Sequence, residues 1–157
     1  MTDNKHHFRI GVISDTHGKL PPSLSDVFFK TDLIIHAGDI GSHEILDQLK
    51  SIAPIVAVCG NMDFAPDVHS LNKTETIQVG TTTIHIRHIL DNPHTVPESA
   101  HIDVVIFGHT HRQEAKWIGK TLFLNPGSAG QRRYGNPLSV ALLMIKGKDI
   151  SFKFVEF

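Results

Sequence analysis

Residues 9–17 read Arg-Ile-Gly-Val-Ile-Ser-Asp-Thr-His, a short apolar run followed directly by an aspartate and a histidine. Runs this short, rich in Val and Ile and closed by Gly or Asp, are typical of strands buried on both faces. Similar runs follow at residues 32–37, 54–59, 81–87 and 103–107. This succession predicts that buried strands form the centre of the fold.

The segments between the first runs predict helices. Residues 21–30 place Leu24, Val27 and Phe28 on one stripe, and Ser42 is suited to cap a second helix over 43–50. Strands alternating with helices predict a parallel sheet with right-handed crossovers, and therefore an α/β fold. The last third predicts β-hairpin structure instead, with strands at 121–125, 138–145 and 150–155, a turn at 146–149 and a surface loop at 127–137.

Composition bounds the class of protein. The chain of 157 residues predicts a single domain over residues 1–157, with a polar N-terminal tail at 1–8. A formal net charge of -1 gives no basic field, so we expect no nucleic acid partner. The one cysteine, Cys59, excludes an internal disulfide, and no apolar run reaches the length of a membrane span. We therefore expect a cytoplasmic protein that does not bind membranes.

Side chains that can ligate metals follow each of the five runs. Ligands of open α/β sheets bind beyond the carboxyl ends of the strands. The residues found there are Asp15 and His17, Asp39, Asn61 and Asp63, His88, and finally His109 and His111. Carboxylate, amide and imidazole groups suit divalent metals such as Mn, Fe and Zn, and the absence of cysteine argues against a structural zinc site.

The spacing of these residues supports one shared site. Asp15 and His17, like His109 and His111, are two residues apart, so each pair points to one side of an extended chain. Each segment alone can be explained as turn chemistry, but the ordered set indicates metal binding. The seven candidate ligands among these residues, all except Asp63, are too many for one ion, whereas two ions sharing a carboxylate would use them all. Asp39 is the best bridge, because a carboxylate has two oxygens to divide between the metals.

Three further residues have simpler interpretations. His36 and His85 lie within strand runs, and we interpret both as packing residues or as supports for the ligands. Cys59 invites a nucleophilic role, but it lies in an apolar run without a dedicated base, which favours a buried structural thiol.

The ordered pattern D-x-H, G-D-x-x-G, G-N-x-D, H and G-H-T-H resembles the calcineurin-like metallophosphoesterase superfamily, and in particular its small single-domain bacterial and archaeal phosphodiesterases. The matching segments run from Ile10 to Ser128, including the loop Asn125-Pro126-Gly127-Ser128. The resemblance implies a four-layer α-β-β-α sandwich, in which helices flank two β-sheets. It also implies two divalent metal ions, Mn first, with Fe, Zn or Ni as alternatives.

The resemblance assigns ligands residue by residue. The first metal would be bound by Asp15, His17, Asp39 and His111, and the second by Asp39, Asn61, His88 and His109. Catalytic roles fall to Asn61 and His88 near the developing charge and to Asp63 as an orienting group. Arg132 or Arg133 is a candidate for a phosphate contact, with a solvated loop charge as the equal alternative.

Two positions depart from the family pattern. The segment Arg87-His88-Ile89-Leu90 replaces the usual T-H-G-H, and Met62 stands where the wider superfamily often has a histidine near the leaving oxygen. The small phosphodiesterases also lack that histidine, which favours activated diesters and leaves the general acid unassigned.

The sequence therefore predicts a phosphodiesterase that hydrolyses a small phosphoester with a metal-activated hydroxide at a binuclear centre. One alternative is a phosphomonoesterase or nucleotide phosphatase with the same centre. Another is a non-catalytic binding scaffold like the retromer subunit that shares this fold. Small members of the family are often dimers or tetramers, so a homo-oligomer is also expected.

Overall fold

The computed structural model describes residues 6–96 and 101–157. In chain order its strands are β1 (His7–Ile13), β2 (Leu33–His36), β3 (Ile55–Ala57), β4 (Thr74–Val79), β5 (Thr82–Arg87), β6 (Val104–Ile106), β7 (Gln113–Ile118), β8 (Thr121–Pro126), β9 (Ser139–Lys146) and β10 (Asp149–Glu156). The helices are α1 (Leu24–Val27), α2 (His43–Lys50) and α3 (Pro66–His69), and a 3-10 helix spans Pro93–Thr95.

The strands form two mixed sheets of five strands each. The first has the order β10-β9-β1-β2-β3, and the second has the order β4-β5-β6-β8-β7. Parallel pairs join β1 to β2, β2 to β3, β5 to β6 and β6 to β8, while the remaining pairs are antiparallel. The first three apolar runs form β1, β2 and β3, which pair in parallel as predicted, whereas the fourth and fifth runs, β5 and β6, belong to the second sheet.

The two sheets pack face to face around the main core. Strand residues such as Ile10, Val12, Ile84, Ile106 and Leu124 are fully buried between them. A second cluster fills the space between the first sheet and its helices, with Leu24 of α1, Leu49 of α2 and Val68 of α3. The outer face of the second sheet buries Val105, Phe107 and Phe123 under Val96 and Ile102. Burying a large aliphatic side chain contributes roughly 1.5–3 kcal/mol, so these three layers of apolar side chains hold the architecture.

Several element boundaries differ from the predictions. The helix expected over 21–30 has only one α-helical turn, because bonds from Leu24 N–H to Pro21 O and from Asp26 N–H to Ser23 O are three-residue turns. The polar tail predicted for residues 1–8 ends earlier, because His7 and Phe8 pair with β9; residues 1–5 lie outside the described part of the chain. The loop predicted at the surface begins buried, with Ser128 and Ala129 at 1% exposure.

The longest helix of residues 6–96 and 101–157 is α2, with eight residues. No helix in these ranges is both long and apolar enough to cross a lipid bilayer.

Candidate metal centre

The seven predicted ligands meet at the carboxyl ends of β1, β2, β3, β5 and β6. Two groups of ligand atoms form there, each within 4.8 Å: Asp15 with His17 and His111, and Asp39 with His88 and His109. Asn61 lies beside the second group, since its Oδ1 accepts a hydrogen bond from His109 Nδ1 at 3.1 Å. The structure thus brings together residues that are up to 96 positions apart in the sequence, from 15 to 111.

Asp15 presents one oxygen to the site and uses the other to hold its own position. Oδ2 accepts from Ser14 Oγ at 2.7 Å and from His109 N at 3.1 Å. Oδ1 has no hydrogen-bond partner and lies 3.1 Å from His111 Nε2 and 3.9 Å from His88 Nε2. Burial by itself raises the pKa of Asp15, but the neighbouring imidazoles of His111 and His17 more than offset this, so its pKa lies well below the ordinary range.

Asp39 is divided in the same way. Its Oδ1 accepts from Met62 N–H at 2.8 Å, whereas Oδ2 lies 3.2 Å from His88 Nε2 and 3.7 Å from His17 Nε2. Oδ2 therefore faces members of both groups. The sequence argument divided the two oxygens between two metals; in the structure a single oxygen lies between the groups, because the backbone occupies the other.

His88 is fixed by the backbone carbonyl of Ala37. Its Nδ1 donates to Ala37 O at 2.7 Å, which leaves Nε2 buried, without a hydrogen-bond partner and facing the carboxylates. A ligating histidine that donates its second nitrogen to a carbonyl is held in one tautomer and orientation. Burial lowers the pKa of His88, but Asp39 and Asp15 raise it by more, so the net pKa is raised.

Five of the seven ligands have left-handed backbones. The φ values are 55° for Asp15, 46° for His17, 55° for Asp39, 73° for His109 and 60° for His111. The extended-chain argument for the paired ligands is therefore wrong, since neither pair lies in extended chain. Non-glycine residues with positive φ are uncommon, Asp and His are among those that tolerate it, and such conformations concentrate at functional sites.

Tight backbone contacts keep these loops in place. Asp15 N–H donates to Gly38 O and His17 N–H to Asp39 O, both at 3.0 Å, so the parallel pairing of β1 and β2 continues through the ligand loops. Gly60 lies so close to Asp39 that a Cβ at this position would come within 2.2 Å of Asp39 Oδ1. Gly60 therefore packs directly against a ligand, where any larger residue would clash.

His36 connects the loops that carry the first two sets of ligands, at Asp15 and at Asp39, through hydrogen bonds. Its Nδ1 accepts from Gly38 N–H at 3.1 Å, so the proton is on Nε2, which donates to Thr16 Oγ1 at 2.9 Å. Thr16 in turn donates to Ile40 O at 2.8 Å. Burial lowers the pKa of His36 to about 3, so it stays neutral and keeps this tautomer. The supporting role predicted for His36 fits these contacts.

Asp63 supports the site through the backbone. Oδ1 accepts from Ile40 N–H at 2.8 Å and Gly41 N–H at 3.0 Å, and Oδ2 accepts from Gly60 N–H at 2.7 Å. The side chain is buried, with 2% exposure. Asp63 thus ties the loop of Asp39 to the loop of Asn61, which makes it a positioning residue rather than a group that reaches a reacting atom.

The structure places the two arginines at the surface. Arg132 donates to the backbone carbonyl of Phe157 at 3.3 Å, and Arg133 is exposed. A phosphate contact from either remains a prediction. Sequence reasoning missed other supports of the site: Ser14, which donates to Asp15, and Asn125, which donates to Gly108 O at 3.0 Å. Both lie within segments already singled out, residues 9–17 and 125–128, but no spacing signal marks them as supports of the site.

The donor set fits two divalent cations. Asp15 Oδ1, His17 Nε2 and His88 Nε2 are buried without hydrogen-bond partners, although buried polar atoms normally have one. The two imidazole nitrogens face the carboxylate oxygens, and cations bound between them would give each of the three atoms a partner. Mixed carboxylate and imidazole ligands suit Mn, Fe, Zn and Ni.

Comparison with known proteins identifies the family. The calcineurin-like phosphoesterase superfamily domain matches residues 8–148. The chain belongs to this superfamily. A probable metallophosphoesterase of Methanothermobacter thermautotrophicus is 33% identical over 94% of this chain and 91% of its own length. A phosphodiesterase of Escherichia coli K12 is 26% identical, covering 83% of this chain and 84% of its own.

A solved structure shows the same fold. Vacuolar Protein Sorting 29 from Cryptosporidium parvum superimposes with a TM-score of 0.80 at 21% identity, covering 98% of this chain and 100% of that chain. The predicted fold class, the α-β-β-α sandwich of the calcineurin-like phosphoesterases, is confirmed. Membership of this superfamily supports a phosphoesterase hydrolase that binds divalent metal.

The titrations of His36 and His88 predict an optimum of stability for the metal-free phosphoesterase. The pKa of His36 is lowered to about 3, so between about pH 3 and the ordinary pKa of about 6.5 the unfolded chain binds more protons than the folded chain. The free energy of unfolding therefore falls as the pH drops through this range. The pKa of His88 is raised, so its contribution is complete below about 6.5 and is lost as the pH rises through the folded value. We therefore expect maximal stability near pH 6.5.

Urea unfolding of metal-free protein between pH 4.5 and 8.5 measures this optimum. Divalent metal requires neutral imidazoles, so loaded protein should lose the decline on the alkaline side. Stability of the metal-free protein that still rises between pH 7 and 8.5 would contradict the assignment of His88.

Proposed function

We propose that this chain is a binuclear metal-dependent phosphodiesterase. The first cation is held by Asp15, His17, Asp39 and His111, and the second by Asp39, Asn61, His88 and His109. The observation that carries the proposal is the pair of adjacent ligand groups, which meet at Asp39 Oδ2. Family membership and the relative from Escherichia coli named as a phosphodiesterase support the reaction class.

The protein residues prepare the site for hydrolysis. Two cations bound by these residues would lower the pKa of water, neutralise phosphate charge and orient the ester for in-line attack. Asp15 and Asp39 supply the negative charge at the base of the site. The second oxygen of Asp15 accepts a hydrogen bond from Ser14 Oγ, and that of Asp39 accepts one from Met62 N–H. Asn61 and His109 are exposed, whereas Asp15, Asp39, His88 and His111 are buried, so we place the substrate on the side of Asn61 and His109.

Catalysis by such a site is mainly electrostatic and positional. The structure offers rigid support for it, since Asp63 and His36 fix the ligand loops through backbone contacts. We propose Mn as the preferred metal, with Fe, Zn and Ni as alternatives that the same ligands accept.

The residue at position 62 favours diesters. Met62 is half exposed and carries no proton donor, although its backbone N–H holds Asp39. An ester with a good leaving group needs little protonation as its bond breaks, so the absence of an imidazole here favours activated diesters. A phosphomonoesterase with the same centre is the second candidate, because the metal ligands themselves do not discriminate the two ester classes.

A binding scaffold is a candidate from another class. Vacuolar Protein Sorting 29 shows that this fold occurs in a protein named for sorting, but at 21% identity the likeness concerns the fold alone. A complete set of seven ligands, with supports for the buried carboxylates, favours catalysis. We further propose a cytoplasmic homo-oligomer, for which native mass spectrometry gives the subunit number.

Hydrolysis of two nitrophenyl esters tests the proposed function. Protein stripped with a chelator and reconstituted with Mn²⁺ should release nitrophenol from bis-p-nitrophenyl phosphate, with little release from p-nitrophenyl phosphate. Faster release from the monoester would favour the phosphatase. No release from either ester, with two metals bound per chain, would favour the scaffold.

A further inference from the structure

A cavity of about 220 Å³ adjoins the proposed second cation site. It lies between the end of β3, the start of β4 and the end of β5, and it shares Asn61 and His88 with the metal centre. Its lining also includes the side chains of Cys59, Lys73, Thr74, Arg87 and Ile89. A substrate whose phosphorus lies at the metal centre would therefore extend directly between two cationic side chains.

The two cationic side chains line the same cavity. Lys73 directly precedes β4, and Thr74 of β4 is the register partner of Arg87 of β5. Two like charges beside one small cavity repel each other, and an anion bound between them would offset this repulsion. Among residues 6–96 and 101–157, no carboxylate lies within ion-pair distance of either side chain.

Arg87 retains hydrogen-bonding capacity. Its Nη1 donates to Thr95 Oγ1 at 3.2 Å, and its Nε is buried without a partner. A guanidinium presents several N–H donors in a planar fork that matches the oxygens of phosphate and carboxylate groups. Arg87 and Ile89, together with Leu90, are the positions where this chain departs from the T-H-G-H pattern, so two of the three departures line the cavity.

We propose that this cavity binds a second anionic group of the substrate. The substrate class is then a phosphodiester that carries a phosphate, phosphonate or carboxylate a few bonds from the scissile phosphorus. The cavity is smaller than the roughly 300 Å³ at the lower end of drug-sized sites, so it accepts an anion with a few carbons. The inference rests on the proposed function, because it places the scissile phosphorus at the metal centre.

Two matched diesters test the substrate class. Ethyl p-nitrophenyl phosphate and 2-phosphonoethyl p-nitrophenyl phosphate differ only in the added anion. In both, water adds to phosphorus and the bond to the nitrophenyl oxygen breaks, which releases p-nitrophenolate. We expect the phosphonate diester to have a kcat/KM about tenfold higher in the Mn²⁺-loaded protein, as for a charge-assisted hydrogen bond in a partly solvated site. The double variant Lys73→Met/Arg87→Met should lose this preference.

A matched variant controls for the loss of positive charge. Lys116 is exposed on β7, away from the cavity, and Lys116→Met should keep the preference. Equal rates for the two diesters in the unsubstituted protein, or a preference that persists in the double variant, would overturn the inference and leave the phosphodiesterase standing. Hydrolysis of neither diester would overturn the proposed function, and the substrate class with it.

A second readout needs no catalysis. In chelated protein, inorganic phosphate should shift the backbone amide resonances of Thr74 and Ile89, which line the cavity. The shifts should be absent in the double variant and retained in Lys116→Met. Unchanged resonances at Thr74 and Ile89 in the unsubstituted protein would overturn the anion site independently of any turnover.

Discussion

Asp39→Asn should remove the proposed binuclear centre while leaving the fold intact. Asparagine tolerates the left-handed backbone of this position, at φ 55°, and its oxygen can still accept from Met62 N–H. The substitution removes the anionic character of Oδ2, which lies between His88 and His17. We expect metal content to fall from two ions per chain to fewer than one. The kcat/KM for bis-p-nitrophenyl phosphate should fall roughly a thousandfold, beyond the 10–100-fold that outer partners of a metal site cost.

Elemental analysis and initial rates measure these two effects together. Asp39→Ala should lose metal and turnover as well, and it should also destabilise the metal-free protein, because Ala tolerates a positive φ poorly and leaves Met62 N–H without its acceptor. Asp47→Asn is the matched control, since Asp47 is exposed on α2. An Asp39→Asn or Asp39→Ala enzyme with full activity would contradict the proposed centre.

Asp63→Ala should have the second large effect, and it should act on stability and on metal affinity alike. The carboxylate accepts three backbone N–H groups, from Ile40, Gly41 and Gly60. Removing it leaves buried donors without acceptors, each costing about 1–3 kcal/mol. We expect the free energy of unfolding to fall by about 3 kcal/mol in metal-free protein. Metal affinity should fall roughly 10–100-fold, because the loops of Asp39 and Asn61 lose their common anchor.

Urea unfolding in chelator measures the first effect without any contribution from bound metal. Titration calorimetry with Mn²⁺ measures the second. Asp67→Ala is the control, since Asp67 is an exposed carboxylate on α3 four residues away. A change in stability below about 0.5 kcal/mol, the usual range of surface substitutions, would show that Asp63 does not anchor the loops.

The sequence predicted the strands whose pattern is determined by burial. β1, β2, β3, β5, β6, β8, β9 and β10 were found within one or two residues, and most of them contain buried Val, Ile or Leu. The sequence missed β4 and β7, which lie at the edges of the second sheet and are mostly polar or exposed. These strands form by pairing with β5 and β8, and they contain no apolar run from which they could be predicted.

The ligand set was predictable because its members all follow buried strands. The distribution of those strands over two sheets was not, since pairing is decided by contacts between distant segments. The left-handed backbone of Asp15 was also outside the reach of the pattern, because it is held by hydrogen bonds with Gly38 and Gly130 in other loops. The cavity beside His88 could not be predicted for a similar reason. Lys73 and Arg87 are 14 residues apart in the sequence and line one cavity only when β4 pairs with β5.

The left-handed ligand positions constrain how metal preference could be redesigned. Asp, Asn, His and Gly occupy this conformation more readily than other residues, and for most side chains it costs roughly 1–2 kcal/mol. Cysteines at positions 15, 39 and 111 together would bear that cost three times over, and the loops of Asp15 and Asp39 are already held by close glycine packing. Directed evolution could therefore exchange carboxylate, amide and imidazole side chains for one another at these positions. A thiolate-rich centre selective for soft metals would require a different loop path first.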